Sequence, residues 1–251
     1  MPTFRERNIA IGNFFFKFRN ALFPILFALA VAIGRPRIIL GEPAVDRFLT
    51  GLGVLVALAG QAVRLLTIGY EYIERGGKEG KVYASRLVQG DVYSLTRNPM
   101  YLGNALIAIG ITMVAGAPFL YVAVLPFFLF VYQAIVAAEE TYLARRFGAE
   151  YERYCASVPR WLPSFGRVAS VLSGKPYDWA KAIRKELSTM AGLLTGLILL
   201  PVWRALCFEG FDAAKTRMVR ALVLEAIVLI SYSVLAYLKR RRWLFYPNEA
   251  T

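Results

Sequence analysis

The chain contains no histidine among its 251 residues. That excludes a histidine general base, a serine–histidine–aspartate triad and most transition-metal sites. Only two cysteines are present, Cys155 and Cys207. The topology derived below sets them on opposite faces, so they form no disulfide framework. Charge is scarce too: 19% of residues are charged and 57% apolar, where a soluble domain is about half apolar and about a quarter charged. The shortage is concentrated in stretches. Residues 100–117, 118–138 and 187–203 hold no Asp, Glu, Lys or Arg. Each is close to the ~20 apolar residues that cross a hydrocarbon core of ~30 Å as a helix. A helix satisfies its own backbone groups in lipid, and the period-two polarity of a membrane barrel is missing. The pattern is that of an all-α integral membrane protein.

Shorter or interrupted runs complete the set. Residues 20–34 follow Lys17 and Arg19; residues 48–70 are apolar apart from Gln61 and Arg64; residues 221–238 are interrupted only by Glu225. About six transmembrane helices are therefore expected. The first run lacks a small-residue cleavage site, because Gly34 is followed by Arg35-Pro36-Arg37, so it reads as retained rather than as a signal peptide. The net charge of +13 follows the topology. With six spans, 22 of the 30 basic residues fall on one side and seven on the other. The positive-inside rule then puts both termini in the cytosol. Basic residues beside anionic headgroups explain the charge without nucleic acid. No organelle signal is apparent, which points to a bacterial inner membrane.

Three units are expected: residues 1–44 with the first span, a core over 45–165, and 166–251 with two further spans. In the core, spans three and four form a tight helical hairpin turning at Gly116-Ala117-Pro118. Asp178 is placed to cap a short helix in which Trp179, Ile183 and Leu187 share a face, the pattern of a helix lying on the inner leaflet before span five.

The chemistry-bearing residues flank the hairpin. Asn98-Pro99 marks a helix start, Asn at the N-cap and Pro at the first helical position. Such an end leaves backbone N–H groups and a positive dipole that suit a carboxylate or phosphate. Arg97 adds charge there, with snorkelling to headgroups as its ordinary alternative. Glu139-Glu140 follows the uncharged fourth span. The hairpin brings Glu139 level with Asn98, close to the rings of Tyr93 and Tyr101. An amino acid carrying a sulfonium matches this set: its carboxylate suits the helix end, its ammonium Glu139 and its sulfonium an aromatic face. Gly148 is placed to end the helix that continues span four. Tyr151, Tyr154 and Trp161 are either an interfacial belt or a wall over the cofactor.

Gly90-Asp91-Val92-Tyr93, then Arg97-Asn98-Pro99-Met100-Tyr101-Leu102-Gly103, then Glu139-Glu140 with Leu143, Phe147-Gly148, Tyr151 and Tyr154, then Val158-Pro159-Arg160 with Leu162-Pro163, together resemble the isoprenylcysteine carboxyl methyltransferase family. The broader group includes phospholipid methyltransferases. The resemblance covers four motifs in order. It implies an integral-membrane methyltransferase with S-adenosylmethionine held in a cytosolic pocket at the ends of the hairpin. It assigns Leu87, Val88, Tyr93, Asn98, Pro99, Met100, Tyr101 and Glu139 to the cofactor. There are departures. The family has His where this chain has Asn98, and a second His where it has Ser85. An Arg that meets the substrate carboxylate in the eukaryotic enzymes is here Ile135. The cofactor half thus keeps its hydrogen-bonding capacity, while the substrate half does not match.

Methyl transfer from a sulfonium needs alignment and exclusion of water rather than a base when the acceptor is anionic. For an amine acceptor, Glu140 is the available proton acceptor. Arg97, with Arg64 or Arg160, is placed to guide an anionic lipid or lipid-linked group entering from the inner leaflet. Membrane lipids and a lipophilic methyl acceptor are the expected partners, with no metal. Two other readings stand beside this one: a membrane reductase using NADPH, and a non-catalytic scaffold with a degenerate pocket.

Overall fold

The computed structural model describes residues 4–71, 83–174 and 176–241. Of the basic residues counted toward the inner face, Arg75, Lys78, Lys81, Lys175 and Arg242 lie outside the described residues. The described residues contain helices and no strand. In chain order the helices are α1 (Phe4–Ile33), α2 (Pro43–Tyr70), α3 (Pro99–Ala115), α4 (Leu125–Phe147), α5 (Ala149–Ser157), α6 (Val168–Gly174) and α7 (Trp179–Arg240). A π-helical turn at Leu120–Val124 leads into α4.

The boundaries follow local chemistry. Proline opens α2 and α3, where the missing N–H costs nothing. Gly116 closes α3 in the left-handed region at φ 61°. Gly148, at φ 51°, separates α4 from α5. The Asp178 carboxylate accepts the Lys181 N–H at 2.8 Å and caps α7. Asn98 occupies the cap position of α3, but its side chain does not bond to the helix.

By length and apolarity, α2, the Leu120–Phe147 helix and α7 qualify as membrane spans. A fourth is the bent pair within α1, Ala10–Phe18 and Phe23–Ile33, which meet at 84°. This is fewer than the six read from the sequence, for two physical reasons. With 17 residues α3 is only ~25 Å long, short of a ~30 Å core. The last two apolar runs, moreover, fall on the single helix α7. That helix breaks at Gly210 (φ 80°, ψ −179°) into arms 179–209 and 211–240. The arms run antiparallel: Lys239 Nζ donates to the Arg184 carbonyl at 3.0 Å, and Thr195 Oγ1 to Glu225 Oε1 at 2.8 Å. The separate surface helix expected before the fifth span is absent. Residues 179–187 are instead the first turns of α7, tied to the end of α2 by Asp178 N–H to Gly69 O (3.1 Å) and Tyr177 OH to Leu65 O (2.9 Å).

Packing departs from a simple α3–α4 hairpin. The turn at Gly116 is tight, but α3 lies mainly along α2, and α4 mainly along α1. Helices in lipid associate by close backbone approach over small residues. Here Gly53, Ala57 and Gly60 of α2 face Gly103 and Gly110 of α3. A Cβ on Gly60 would stand 2.6 Å from the Gly103 carbonyl and 2.8 Å from Ile107 N. On the other side Phe16, Val131, Tyr132 and Ile135 join α1 to α4. At the turn end, Arg204 of α7 bonds Asp46 Oδ2 (2.5 Å), Thr50 Oγ1 (2.9 Å) and the Val114 carbonyl (3.2 Å), locking α2, α3 and α7 together. Held by different partners, α3 and α4 separate with distance from their shared turn.

The α2–α3 seam should tolerate no added volume. Gly60→Val is expected to destabilise by about 1–3 kcal/mol. Gly51→Val is the control, because a Cβ at Gly51 meets nothing within 4 Å. Thermal unfolding of both variants in detergent checks this, with a lower Tm expected for Gly60→Val alone.

Candidate functional site

The gap between α3 and α4 is a cavity of about 1140 Å³. Its upper end is built where two loops are laced together. The Arg97 N–H donates to Pro159 O at 2.9 Å, and the Ser164 N–H to Leu95 O at 2.9 Å. Thr96 Oγ1 lies between the Arg160 and Trp161 carbonyls at 3.2 and 3.1 Å. The Asn98 side-chain amide donates to Arg160 O at 3.1 Å. This explains why Asn98 does not cap α3: the nearby loop carbonyl takes its amide. The first-turn N–H groups of α3 are left without a side-chain cap.

Glu139 and Glu140 face different surroundings, as neighbouring residues on a helix must. Glu139 Oε1 accepts the Tyr101 hydroxyl proton at 2.6 Å, joining α4 to α3 across the cavity mouth. Glu140 sits between two guanidinium groups, 2.8 Å from Arg160 and 3.5 Å from Arg97. Arg97 also donates to Cys155 Sγ at 2.6 Å. Burial opposes the Arg97 charge, but Glu140 and Cys155 outweigh it and leave the guanidinium pKa raised. Arg97 is therefore held in the site by Glu140, and only 17% of its side chain is exposed. The ring of Tyr101 lies 5.2 Å from that of Tyr132. The Tyr154 hydroxyl donates to the Tyr93 carbonyl at 2.8 Å, fixing the turn Asp91–Ser94.

Ten of the residues singled out from the sequence line this one cavity: Leu87, Val88, Tyr93, Arg97, Asn98, Pro99, Met100, Tyr101, Glu139 and Glu140, as do Tyr151 and Tyr154, whereas Arg160 and Trp161 are not part of its lining. Ser85 lines it as well. Ile135 does not; it is fully buried in the packing of α4 on α1.

On the opposite wall Arg64, read from the sequence as a guide for an anionic acceptor, is instead buried against a partner that sequence reasoning missed. Arg64 of α2 is 4% exposed, and its Nε and Nη2 bond both oxygens of Glu186, at 2.6 and 2.8 Å. Gln61 Nε2 adds a bond to the same carboxylate at 3.2 Å, Thr189 Oγ1 lies 3.3 Å from Arg64, and the Asn104 oxygen accepts from Arg64 Nη1. Glu186 is fully buried. A signal for this pair existed: a lone arginine in an apolar helix requires a counter-ion. Glu186 is the acid that immediately precedes the charge-free stretch 187–203.

An all-helical chain with several long apolar helices around a deep cavity is a membrane protein, and the comparisons supply its kind. The family model for phospholipid methyltransferase matches residues 50–150. The match covers less than half of the chain and is consistent with an isoprenylcysteine- or phospholipid-methyltransferase-like membrane family. An "Uncharacterized protein" of Haemophilus influenzae (strain ATCC 51907 / DSM 11121 / KW20 / Rd) is 43% identical over 63 residues. That stretch is 25% of this chain and the whole of the relative. No solved structure matches.

The rim has an alkaline signature. Burial, reinforced for Tyr151 by the nearby Glu140 charge, pushes the phenols of Tyr151 and Tyr154 above their ordinary pKa of about 10. Both hold their proton more tightly folded than unfolded. Their stabilisation is therefore intact below about pH 10 and lost as pH rises beyond it. Thermal unfolding across an alkaline series should show a Tm that drops above about pH 10, and Tyr154→Phe should flatten part of that drop.

Proposed function

We propose that the chain is an S-adenosylmethionine-dependent methyltransferase acting on a membrane-associated acceptor at the cytosolic face. The reading includes a six-pass arrangement in which α1, α2, α3, α4 and the two arms of α7 each cross once, with both termini inside. The carrying observation is the Tyr101–Glu139 hydrogen bond at the mouth of a cavity that Asn98 also lines.

The donor set fits the cofactor chemically. The Glu139 carboxylate has the charge that suits an ammonium group. The N-terminal turn of α3, without a side-chain cap, suits a carboxylate. The faces of Tyr101 and Tyr132 suit a sulfonium. When bound, the cofactor would supply an electrophilic methyl group.

The chain's own residues would do the rest by alignment. The laced loops 95–98 and 159–164 hold the upper rim, and the tyrosines and Leu87-Val88 exclude water above the reacting centre. Glu140, engaged by Arg97 and Arg160, serves in this reading to position those two cations. Arg97 is then the charge that an anionic acceptor meets. An amine acceptor would have to displace one guanidinium before Glu140 could take its proton, so the geometry favours an acceptor that is already anionic.

Equilibrium binding of radiolabelled S-adenosylhomocysteine to the purified protein tests the site. Wild type should bind; Glu139→Ala and Asn98→Ala should each weaken binding about tenfold or more, corresponding to at least ~1.4 kcal/mol. Unchanged binding in both variants, or binding of NADPH in place of the homocysteine, would remove the assignment.

A further inference from the structure

The buried Arg64–Glu186 pair sets the orientation of a neutral side chain on the cavity wall. Arg64 is fixed first. Its Nε and Nη2 bond the two Glu186 oxygens at 2.6 and 2.8 Å, and Nη2 also reaches Thr189 Oγ1 at 3.3 Å. Gly103 makes room for the stem, since a Cβ there would stand 2.6 Å from Arg64 Cγ. The remaining nitrogen, Nη1, donates to Asn104 Oδ1. A guanidinium carries N–H donors and no acceptor. Only the oxygen of the amide can therefore face it, and the Asn104 NH2 is turned away from Arg64.

Asn104 lines the cavity and is half-buried. Among the described residues, none accepts a hydrogen bond from its NH2. Between Tyr101 and Thr112 it is the one polar side chain of α3. Holding Arg64 requires only an oxygen at this position, which a carboxylate or hydroxyl would also supply; the NH2 is left over from that role. It is a strengthened donor as well, because the guanidinium draws charge from Oδ1 and polarises the amide in surroundings of low dielectric. Asn104 stands three residues beyond Tyr101, ~4.5 Å along the helix, and so next to the ring assigned above to the sulfonium. An amine would find no counterpart in this network: the Asn104 oxygen is committed to Arg64, and both Glu186 oxygens are engaged by Arg64 and Gln61.

We infer that Asn104 is a specificity-determining residue for the methyl acceptor, its NH2 donating to an oxygen of the acceptor's head group. The acceptor is then an oxygen acid, a carboxylate or a phosphate ester, and not an amine. This substrate class rests on the methyltransferase reading and narrows it. Asn104 holds the acceptor's oxygen and takes no proton from it.

The test uses the full chain in detergent micelles, labelled with 15N-asparagine. Six asparagines are present, and the side-chain NH2 pair of Asn104 is identified by its loss in Asn104→Asp. Sodium octanoate and octyl phosphate should each move that pair, and octylammonium chloride should not. Asn104→Asp keeps an oxygen for Arg64 and replaces the NH2 with a second oxygen. In equilibrium dialysis it should bind radiolabelled octanoate about tenfold more weakly, ~1.4 kcal/mol, and gain binding of octylammonium. A role confined to holding Arg64 would leave both affinities as in the wild type. Failure of both oxygen acids to move the pair, an equal shift with octylammonium, or undiminished octanoate binding by Asn104→Asp overturns the assignment. Should Asn104→Asp fail to fold, the wild-type pair, identified by substituting the other five asparagines singly, still decides. S-adenosylhomocysteine binding is measured on the same samples. A pair that stays still in a protein that binds the homocysteine strikes the Asn104 contact and leaves the methyltransferase reading. A pair that moves in a protein that does not bind it strikes that reading and leaves an oxygen-acid site.

Discussion

A charge inside a membrane protein has to be answered by another, and the Arg64–Glu186 pair is where that requirement organises this structure. Neither residue can be left without its partner except at a cost of about 3–5 kcal/mol. The arginine sits on α2 and the acid on α7, so the pair fixes where the carboxy-terminal helix must enter. Gln61, Asn104 and Thr189 complete the shell. Through Asn104 the constraint reaches α3 and the cavity itself. Together with the Arg204–Asp46 bond at the other end, the pair sets the register of α7 against α2 and so builds that wall of the cavity.

The second organising fact is that α3 and α4 leave one tight turn yet belong to different packing layers. Small residues draw α3 onto α2, and aromatic side chains draw α4 onto α1. The turn end is tightly filled, with Val114, Ala115, Ala117 and Leu120 fully buried. The open end is spanned by side-chain bonds such as Tyr101–Glu139 and by the loops above. A pocket thus arises from a mismatch in helix partnership, with the Tyr101–Glu139 contact at its open end.

Much of this could be read in the chain. Charge-free stretches located the apolar helices, and Pro99, Gly116, Gly148 and Asp178 marked real boundaries because each acts through its own backbone geometry. The ten candidate residues fell on one cavity for the same reason: their placement depends on helix ends, which are local. What stayed hidden was pairwise. Nothing distinguishes Gly53, which meets α3, from Gly51, which meets nothing, until the partner helix is known. Glu186 looked like part of a surface helix because its counter-ion lies 122 positions away. Asn98 stood correctly at the start of α3, but the carbonyl that claims its side chain belongs to a loop 62 residues on.

That last contact has a bearing on how such a pocket can drift over time. The acceptors that hold loop 95–98 are the main-chain carbonyls of Pro159, Arg160 and Trp161. Main-chain oxygens are present whatever side chains accompany them. A rim fastened in this way keeps its outline while residues 159–161 are exchanged, and any side chain able to donate at position 98 can serve as the fastener. Shape at the mouth is thereby uncoupled from the identity of the residues that face the solvent, leaving those free to be recruited to new ligands.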